Sequence, residues 1–144
     1  MPLYECATTE GALTDEQRAE IADGITRAHV DITGAPFEFV HVAFPELPAG
    51  RTFTGGKPAS PILIRGNIRA GRTDEVRHEL MRRIYEIVST VTGIEPTRLL
   101  VAVADFPPNW AMEAGMILPA TTPEAEQEFI AKLRSADAGA VVGA

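Results

Sequence analysis

The length, composition and charge of the chain are those of an ordinary globular domain. It has 144 residues, 45% of them hydrophobic and 23% charged, and a net charge of −7; this size is sufficient for an apolar core without disulfides or metals. We expect no membrane span, because no apolar run approaches about 20 residues, and no nucleic-acid partner, because phosphate binding needs clustered cations.

The N-terminal segment, Met-Pro-Leu-Tyr-Glu-Cys, carries neither a basic nor an apolar leader region. This predicts a cytoplasmic protein without a signal peptide. Cys6 is the only cysteine, so an internal disulfide and a multi-cysteine zinc site are excluded. We interpret Cys6 as a buried residue of the first strand.

An internal repeat with a period of 59 residues runs through the chain. The residues that coincide after this shift include 14–16 with 73–75, 33–34 with 92–93, 42–43 with 101–102, and Pro2 with Pro61. Fixed periods of this kind indicate duplicated structural units. We predict a single domain, 1–144, with repeats at about 2–45 and 61–104 and a C-terminal tail at 120–144.

Each repeat predicts the order β-α-β. Short apolar stretches at 3–7 and 61–65 favour strands, and Thr14 and Thr73 are typical helix N-caps followed by acidic residues. Gly34 and Gly93 are placed to end the helices, and 37–44 and 99–104 read as second strands. Strands joined through a helix are expected to be parallel. The fold class is therefore α+β, with two fused units sharing one sheet and both helices on one face.

Three segments lie outside this predicted repeat. The Gly- and Pro-rich stretch 45–60 predicts a hairpin or loop between the halves. Residues 107–119 are expected to be irregular. A short helix is predicted at 124–134, followed by a frayed terminus.

His29 is a polar residue beside an apolar helix face. It follows Ile25 by four residues and corresponds to Val88 in the second repeat. A hydrogen-bonded structural histidine and a functional one are both compatible with this position. The difference between the repeats favours looking for a function, because packing alone should give similar residues in both.

Two arginines, Arg69 and Arg72, precede the second helix in a glycine-containing segment. Guanidinium groups pair with carboxylate oxygens through two parallel hydrogen bonds, and a helix N-terminus favours anions. The pair is therefore a candidate carboxylate site, with solvated surface salt bridges as the alternative. No Walker motif and no metal-ligand spacing of histidines is present.

Pro2 becomes a free secondary amine if the initiator methionine is removed. The pKa of an α-amino group is about 8 in model peptides, and burial or nearby cations lower it. A neutral amine near pH 7 is a competent general base, and its protonated form is an acid. The alternative is that Pro2 simply begins an edge strand.

Taken in order along the chain, these features resemble the tautomerase superfamily, and within it the cis-3-chloroacrylic acid dehalogenase group. The resemblance covers about 2–119. The segments that carry it are Pro2-Leu3-Tyr4, Ile25-Thr26-Arg27-Ala28-His29 with Thr33-Gly34, Pro48-Ala49-Gly50 with Phe53 and Gly55-Gly56, Arg69-Ala70-Gly71-Arg72, and Met112-Glu113-Ala114-Gly115 with Leu118-Pro119.

The resemblance implies roles for these residues. Pro2 would be the catalytic amine, Arg69 and Arg72 would hold the carboxylate of a small substrate, and His29 would assist binding and polarisation. Glu113 would position or activate water in a hydration step. It also implies a homotrimer that needs no metal or organic cofactor.

One position departs from the dehalogenase pattern. Where those enzymes carry a tyrosine thought to help activate water, this chain has Ala102. The loss of a hydroxyl should weaken hydration more than tautomerisation, which uses no water nucleophile. Tyr4 is a candidate to compensate.

Three functions follow in order of preference. The first is a promiscuous keto-enol tautomerase of small 2-oxo and 2-hydroxy-enoic acids, with weak cis-3-chloroacrylate dehalogenase (hydratase) activity. The second is a dedicated hydratase, dehalogenase or decarboxylase of a three-carbon acid. The third is a non-catalytic, anion-binding trimeric module with an inert Pro2.

Overall fold

The helices and strands of a computed structural model follow the predicted β-α-β order. The structure describes residues 2–142, with side chains to 139. These residues divide into two compact units, 2–68 with 72–104 and 69–71 with 105–142. The prediction that 1–144 forms a single domain stays a prediction.

The first unit holds both repeated helices and most of the strands. Its elements are β1 (Leu3–Thr9), α1 (Asp15–Thr33), β2 (His41–Ala43), β3 (Glu46–Leu47), β4 (Phe53–Thr54), β5 (Lys57–Pro58), β6 (Ile62–Arg69), α2 (Asp74–Thr92) and β7 (Leu99–Phe106), the last residues of β6 and β7 belonging to the second unit. The remaining elements are β8 (Met112–Glu113), β9 (Met116–Ile117) and α3 (Pro123–Val142).

The main sheet has the strand order β2-β1-β6-β7, and β3 adds to β1. β1 runs parallel to β2, with Leu3 opposite His41, and antiparallel to β6, with Tyr4 opposite Gly66. Helices α1 and α2 pack against each other and bury their apolar sides in one core with β1 and β6. The predicted α+β fold class is confirmed.

Helices α1 and α2 begin and end where the sequence predicts. The Thr14 hydroxyl accepts a hydrogen bond from the Gln17 backbone N–H at 3.1 Å, and the Gln17 side chain accepts one from the Thr14 N–H. At α2 the Thr73 hydroxyl accepts a hydrogen bond from the Val76 backbone N–H at 3.3 Å. Gly34 and Gly93 have φ angles of 74° and 64°, a left-handed conformation that glycine adopts without steric cost.

Several predicted boundaries were wrong. Residues 37–44 form a 3-10 turn, Phe37–Phe39, followed by the three-residue β2, because Pro36 sets an extended entry to the turn. The C-terminal helix was predicted at 124–134 with a frayed end, whereas α3 extends from Pro123 to Val142. Alanine is the strongest helix former, and the four alanines at 131–140 favour this extension over fraying.

The structural repeat differs from the sequence repeat in two places. β1 ends at Thr9 and β6 ends at Arg69, 60 residues later, while the helices keep the 59-residue shift. The connection between β6 and α2 is one residue shorter than the connection between β1 and α1. Pro2 and Pro61 therefore do not occupy equivalent strand positions, although they match in the sequence repeat. The 59-residue shift also relates the β4–β5 hairpin to the β8–β9 hairpin. Segments 45–60 and 107–119 are therefore themselves repeated.

Within residues 2–142, none of the helices combines the length and apolar character that a bilayer crossing requires.

Candidate active site

Pro2 lies directly before β1 and is almost completely buried. Its carbonyl accepts a hydrogen bond from the His41 backbone N–H at 3.0 Å, which fixes the start of β1 against β2. Side chains alternate across a strand, and the even-numbered residues of β1 face the helices. Pro2 is thus on the same side of the sheet as Tyr4.

Tyr4 and His29 form a buried hydrogen-bonded pair. The Tyr4 hydroxyl lies 2.7 Å from His29 Nδ1, and the rings meet edge to face with centroids 5.8 Å apart. Their exposed fractions are 0% and 3%. Buried polar atoms are costly unless paired, so this bond fixes the orientation of both rings.

Two opposing effects act on the Tyr4 phenol. Burial raises its pKa well above the ordinary value, and the positive charge of Arg72 lowers it by a smaller amount. The hydroxyl therefore keeps its proton. If it donates to His29 Nδ1, the neutral imidazole carries its own proton on Nε2; in the other tautomer Nδ1–H donates to the hydroxyl. Arg72, itself half-buried, is close enough to act electrostatically on this pair.

Gly66 provides the space for the Tyr4 ring. A Cβ atom at this position would lie 2.4 Å from Tyr4 Cε1, far inside van der Waals contact. Gly66 was not among the predicted site residues. Its position inside a strand was the available signal, because an interior strand glycine often marks a close approach by another group.

The second half has apolar side chains where the first has this polar pair. By the helix shift His29 corresponds to Val88, and by the strand shift Tyr4 corresponds to Ile64. Val88 and Ile64 are fully buried members of the same core. The fold therefore does not require a tyrosine and a histidine at these positions.

Arg69 belongs to the second unit and already has an internal carboxylate partner. Its Nη1 donates to the Pro119 carbonyl at 3.0 Å, and its Nη2 forms an ion pair with Glu126 in α3. Arg72 belongs to the first unit, and the prediction that the two arginines hold one carboxylate stays a prediction. Glu126 was not predicted from the sequence, since only the fold brings α3 to Arg69.

Glu113, also in the second unit, ends β8 immediately before the turn to β9. The turn is made by Ala114 and Gly115, which have φ angles of 51° and 77°, as a two-residue hairpin turn requires. The Glu113 side chain is half-buried. Ala102 lies on β7, in the other unit, and is exposed.

Among the residues that the structure describes, no cluster of three histidine, cysteine or acidic side chains is arranged to hold a metal ion. The expectation that no metal or organic cofactor is needed remains a prediction.

Comparison with known proteins identifies the family. A family model described as "Putative oxalocrotonate tautomerase enzyme" matches residues 1–134. No curated protein matches the chain.

Three solved structures are similar over most of the chain. The native Ps01740 structure is 48% identical, covers 77% of this chain and 99% of its own, and has a TM-score of 0.76. N1, a member of the cis-3-chloroacrylic acid dehalogenase family, is 32% identical, with 90% and 99% covered and a TM-score of 0.78. The R7 fused 4-OT asymmetric trimer is 31% identical, with 80% and 94% covered and a TM-score of 0.72.

These matches confirm the predicted fold class and the resemblance to the tautomerase superfamily. The chain belongs to the tautomerase superfamily, in the family whose model spans residues 1–134.

Proposed function

We propose that this protein interconverts the enol and keto forms of small 2-hydroxy-enoic and 2-oxo acids, with the Pro2 nitrogen as base and then acid. One observation carries the proposal: a buried Tyr4–His29 pair on the Pro2 side of β1, under the influence of Arg72. Buried polar groups at positions that the other half fills with apolar residues favour a chemical role.

The proposed base needs a free nitrogen, and therefore removal of Met1. The resulting secondary amine would be held in a nearly inaccessible position. Burial disfavours the charged form of an amine and so lowers its pKa, which favours a neutral base near pH 7. Continuing the β1–β6 register by one residue puts Pro2 opposite Ile68, four residues before Arg72. A cation close to the amine would lower its pKa further.

The proposed reaction is a proton shuttle between oxygen and carbon. The Pro2 nitrogen takes the proton from the enol hydroxyl, and the electron pair left on oxygen forms the carbonyl while charge spreads to the carbon end of the conjugated system. The protonated amine then returns the same proton to that carbon. No net gain or loss of protons or electrons results, and the amine is regenerated.

The charged and polar groups would stabilise this transition state. Arg72 and Arg69 would bind the substrate carboxylate and withdraw electron density from the developing dienolate. His29 Nε2–H is a donor suited to the substrate oxygen, and Tyr4 would hold the imidazole in that tautomer. This fixed orientation lowers the cost of arranging dipoles during the reaction.

We also propose a homotrimer. The face of the sheet turned away from α1 and α2 carries exposed Leu63 and Leu100 beside Ala102, and these residues border a cavity of about 480 Å³. A second copy of the chain is the expected partner, because similar fused 4-OT proteins are trimers. Sedimentation velocity should give about three times the 15.5 kDa chain mass.

Pro2→Ala tests the mechanism. We expect kcat/KM for enol phenylpyruvate to fall at least about 100-fold, the range typical of impairing a general acid–base group, because the substitution leaves a primary amine without the ring that fixes the proline nitrogen. Pro61→Ala is the control, because it makes the same side-chain change at a proline that has no free amine. Unchanged turnover in Pro2→Ala would falsify the mechanism.

The intact mass of the purified protein separates catalysis from simple binding. Loss of the initiator methionine is expected. Retention of Met1 together with absent turnover would instead support the non-catalytic anion-binding module.

Hydration of 3-haloacrylates or of another three-carbon acid is a second candidate, supported by the similarity to N1. Glu113 would activate the water, but Ala102 supplies no hydroxyl to assist. Glu113→Gln should therefore abolish release of chloride from cis-3-chloroacrylate while tautomerisation stays within about twofold of the unaltered enzyme. If tautomerisation fell and chloride release persisted, the order of the two functions would be reversed.

A further inference from the structure

Residues 119–126, which include the start of α3, contact residues 69–71. The Pro119 carbonyl accepts a hydrogen bond from Arg69, and the Thr121 hydroxyl donates one to the Ala70 carbonyl at 3.2 Å. Gly71 has a φ angle of 113°, and a Cβ there would lie 2.3 Å from Thr121 Oγ1. Residues 119–126 therefore pack against residues 69–71, and this part of the C-terminal tail contacts Arg69.

The Arg69–Glu126 ion pair is largely shielded from solvent. The side chains are 5% and 14% exposed. A buried guanidinium needs both a counter-charge and fixed hydrogen-bond acceptors. Glu126 supplies the charge, and Pro119 supplies a second acceptor at the other terminal nitrogen.

We propose that Glu126 is a positioning residue that orients Arg69 and offsets its charge, and so sets how tightly Arg69 binds a carboxylate ligand. The inference rests on the proposed function, in which Arg69 takes part in substrate binding. The two internal contacts occupy two of the five guanidinium N–H donors. A ligand carboxylate would use the others, and it would meet an arginine whose charge is already partly neutralised.

The two effects of Glu126 can be separated because they have opposite signs. Glu126→Gln keeps an oxygen that can accept from Arg69 but removes the negative charge, so a carboxylate ligand should bind more tightly. Glu126→Ala removes the acceptor as well, so Arg69 loses its fixed orientation and binding should weaken. A contact with only a structural role would not give changes in opposite directions.

The experiment measures phenylacetate, an unreactive monocarboxylate, binding to the full-length protein by titration calorimetry. We expect Kd to fall roughly fivefold in Glu126→Gln and to rise roughly fivefold in Glu126→Ala, with KM for enol phenylpyruvate following the same directions. Glu124→Gln is the control, because it removes an exposed charge from the same helix and should leave Kd within about twofold.

The inference is wrong if both Glu126 variants bind phenylacetate like the unaltered protein, or if both weaken it. Should Glu126→Ala not fold, Arg69→Gln with Glu126→Gln removes both buried charges, and its Kd should rise at least about tenfold; an unaltered Kd would overturn the inference. The binding assay is independent of turnover, so loss of the proposed function through the Pro2→Ala test would be recognised separately.

Discussion

The two halves of the chain build the same strand–helix core with different side chains. The first places Tyr4 and His29 where the second places Ile64 and Val88, and all four are buried. The second half shows that apolar side chains suffice for packing at these positions. A buried hydrogen bond adds only about 1 kcal/mol to stability once the lost hydrogen bonds to water are included, so the polar pair has no clear advantage over buried apolar side chains. The polar pair is therefore better explained by chemistry than by stability.

The largest expected loss of stability comes from a substitution that fills the space occupied by the Tyr4 ring. Gly66→Ala puts a Cβ 2.4 Å from Tyr4 Cε1, and the ring cannot move away without disturbing the His29 bond. We expect a loss of about 3 kcal/mol in the free energy of unfolding, at the upper end for overpacking. Urea denaturation measures it.

Gly139→Ala is the matched control for this change. Gly139 lies in α3, where an added Cβ meets nothing within 4 Å, and alanine is favoured over glycine in a helix by about 1 kcal/mol. The control should thus be neutral or stabilising. Equal destabilisation by both substitutions would contradict a specific contact between Gly66 and Tyr4.

The fold could be predicted from the sequence because it depends on local signals. Thr14 and Thr73 as caps, Gly34 and Gly93 as helix ends, and apolar residues at helical spacing all act within a few residues. The one-residue shift between β1 and β6 was missed. The chance match of Pro2 with Pro61 concealed it, and only alternation of burial along the strands reveals it.

The site could be predicted only in part, since its contacts join distant residues. The difference between His29 and Val88 was visible in the repeat and marked a polar position. The partner of His29 was not visible, because Tyr4 is 25 residues away and reaches it through the packing of β1 on α1. Glu126 is 57 residues from Arg69, and no local pattern connects the two.

A double-mutant cycle sharpens the comparison between the polar and apolar halves. Tyr4→Phe keeps the ring, and His29→Val introduces the residue found at the equivalent position 88. Each single change leaves one buried polar atom without this hydrogen bond, at a cost of about 2 kcal/mol. The double variant leaves neither, so it should be about 1 kcal/mol more stable than the sum of the single losses predicts.

The cycle also separates stability from catalysis. Stability should recover partly in the double variant, whereas turnover of enol phenylpyruvate should stay low in every variant that lacks His29. Additive losses of stability would mean that the hydrogen bond contributes nothing measurable. Restored turnover in the double variant would show that Tyr4 and His29 have only a structural role.

A smaller difference between the two halves is expected at Cys6, in how the free energy of unfolding depends on pH. The equivalent strand position of the second half is Gly66, so only the first half buries an ionisable thiol here. Burial raises the pKa of Cys6 from about 9 to about 12, and the folded state therefore binds a proton that the unfolded state has released. Its stabilising contribution is complete below pH 9 and is lost as pH rises towards 12.

Denaturation with urea at pH 7.5, 9 and 10 tests this sign. We expect the free energy of unfolding to fall by about 1 kcal/mol between pH 7.5 and pH 10. Cys6→Ala should flatten that part of the profile, whatever its effect at pH 7.5. The raised pKa of Tyr4 acts in the same direction, so Tyr4→Phe should flatten the profile further, at somewhat higher pH. A profile that rises with pH would contradict both assignments.

The smallest effect is expected at the two repeated hairpins. The turn of β4–β5 has glycines at both positions, Gly55 and Gly56, with φ angles of 57° and 78°, whereas β8–β9 has Ala114 at the first, with a φ of 51°. An L residue in this conformation is strained by about 1 kcal/mol.

Ala114→Gly should therefore raise the free energy of unfolding by about 0.5 kcal/mol once the greater freedom of glycine in the unfolded chain is included. Gly55→Ala should lower it by a similar amount. Opposite shifts of about 1–3 °C in the melting temperatures would measure the pair. A fall in chloride release or tautomerisation in Ala114→Gly, without loss of stability, would indicate that the strained alanine holds the neighbouring Glu113 in its working position.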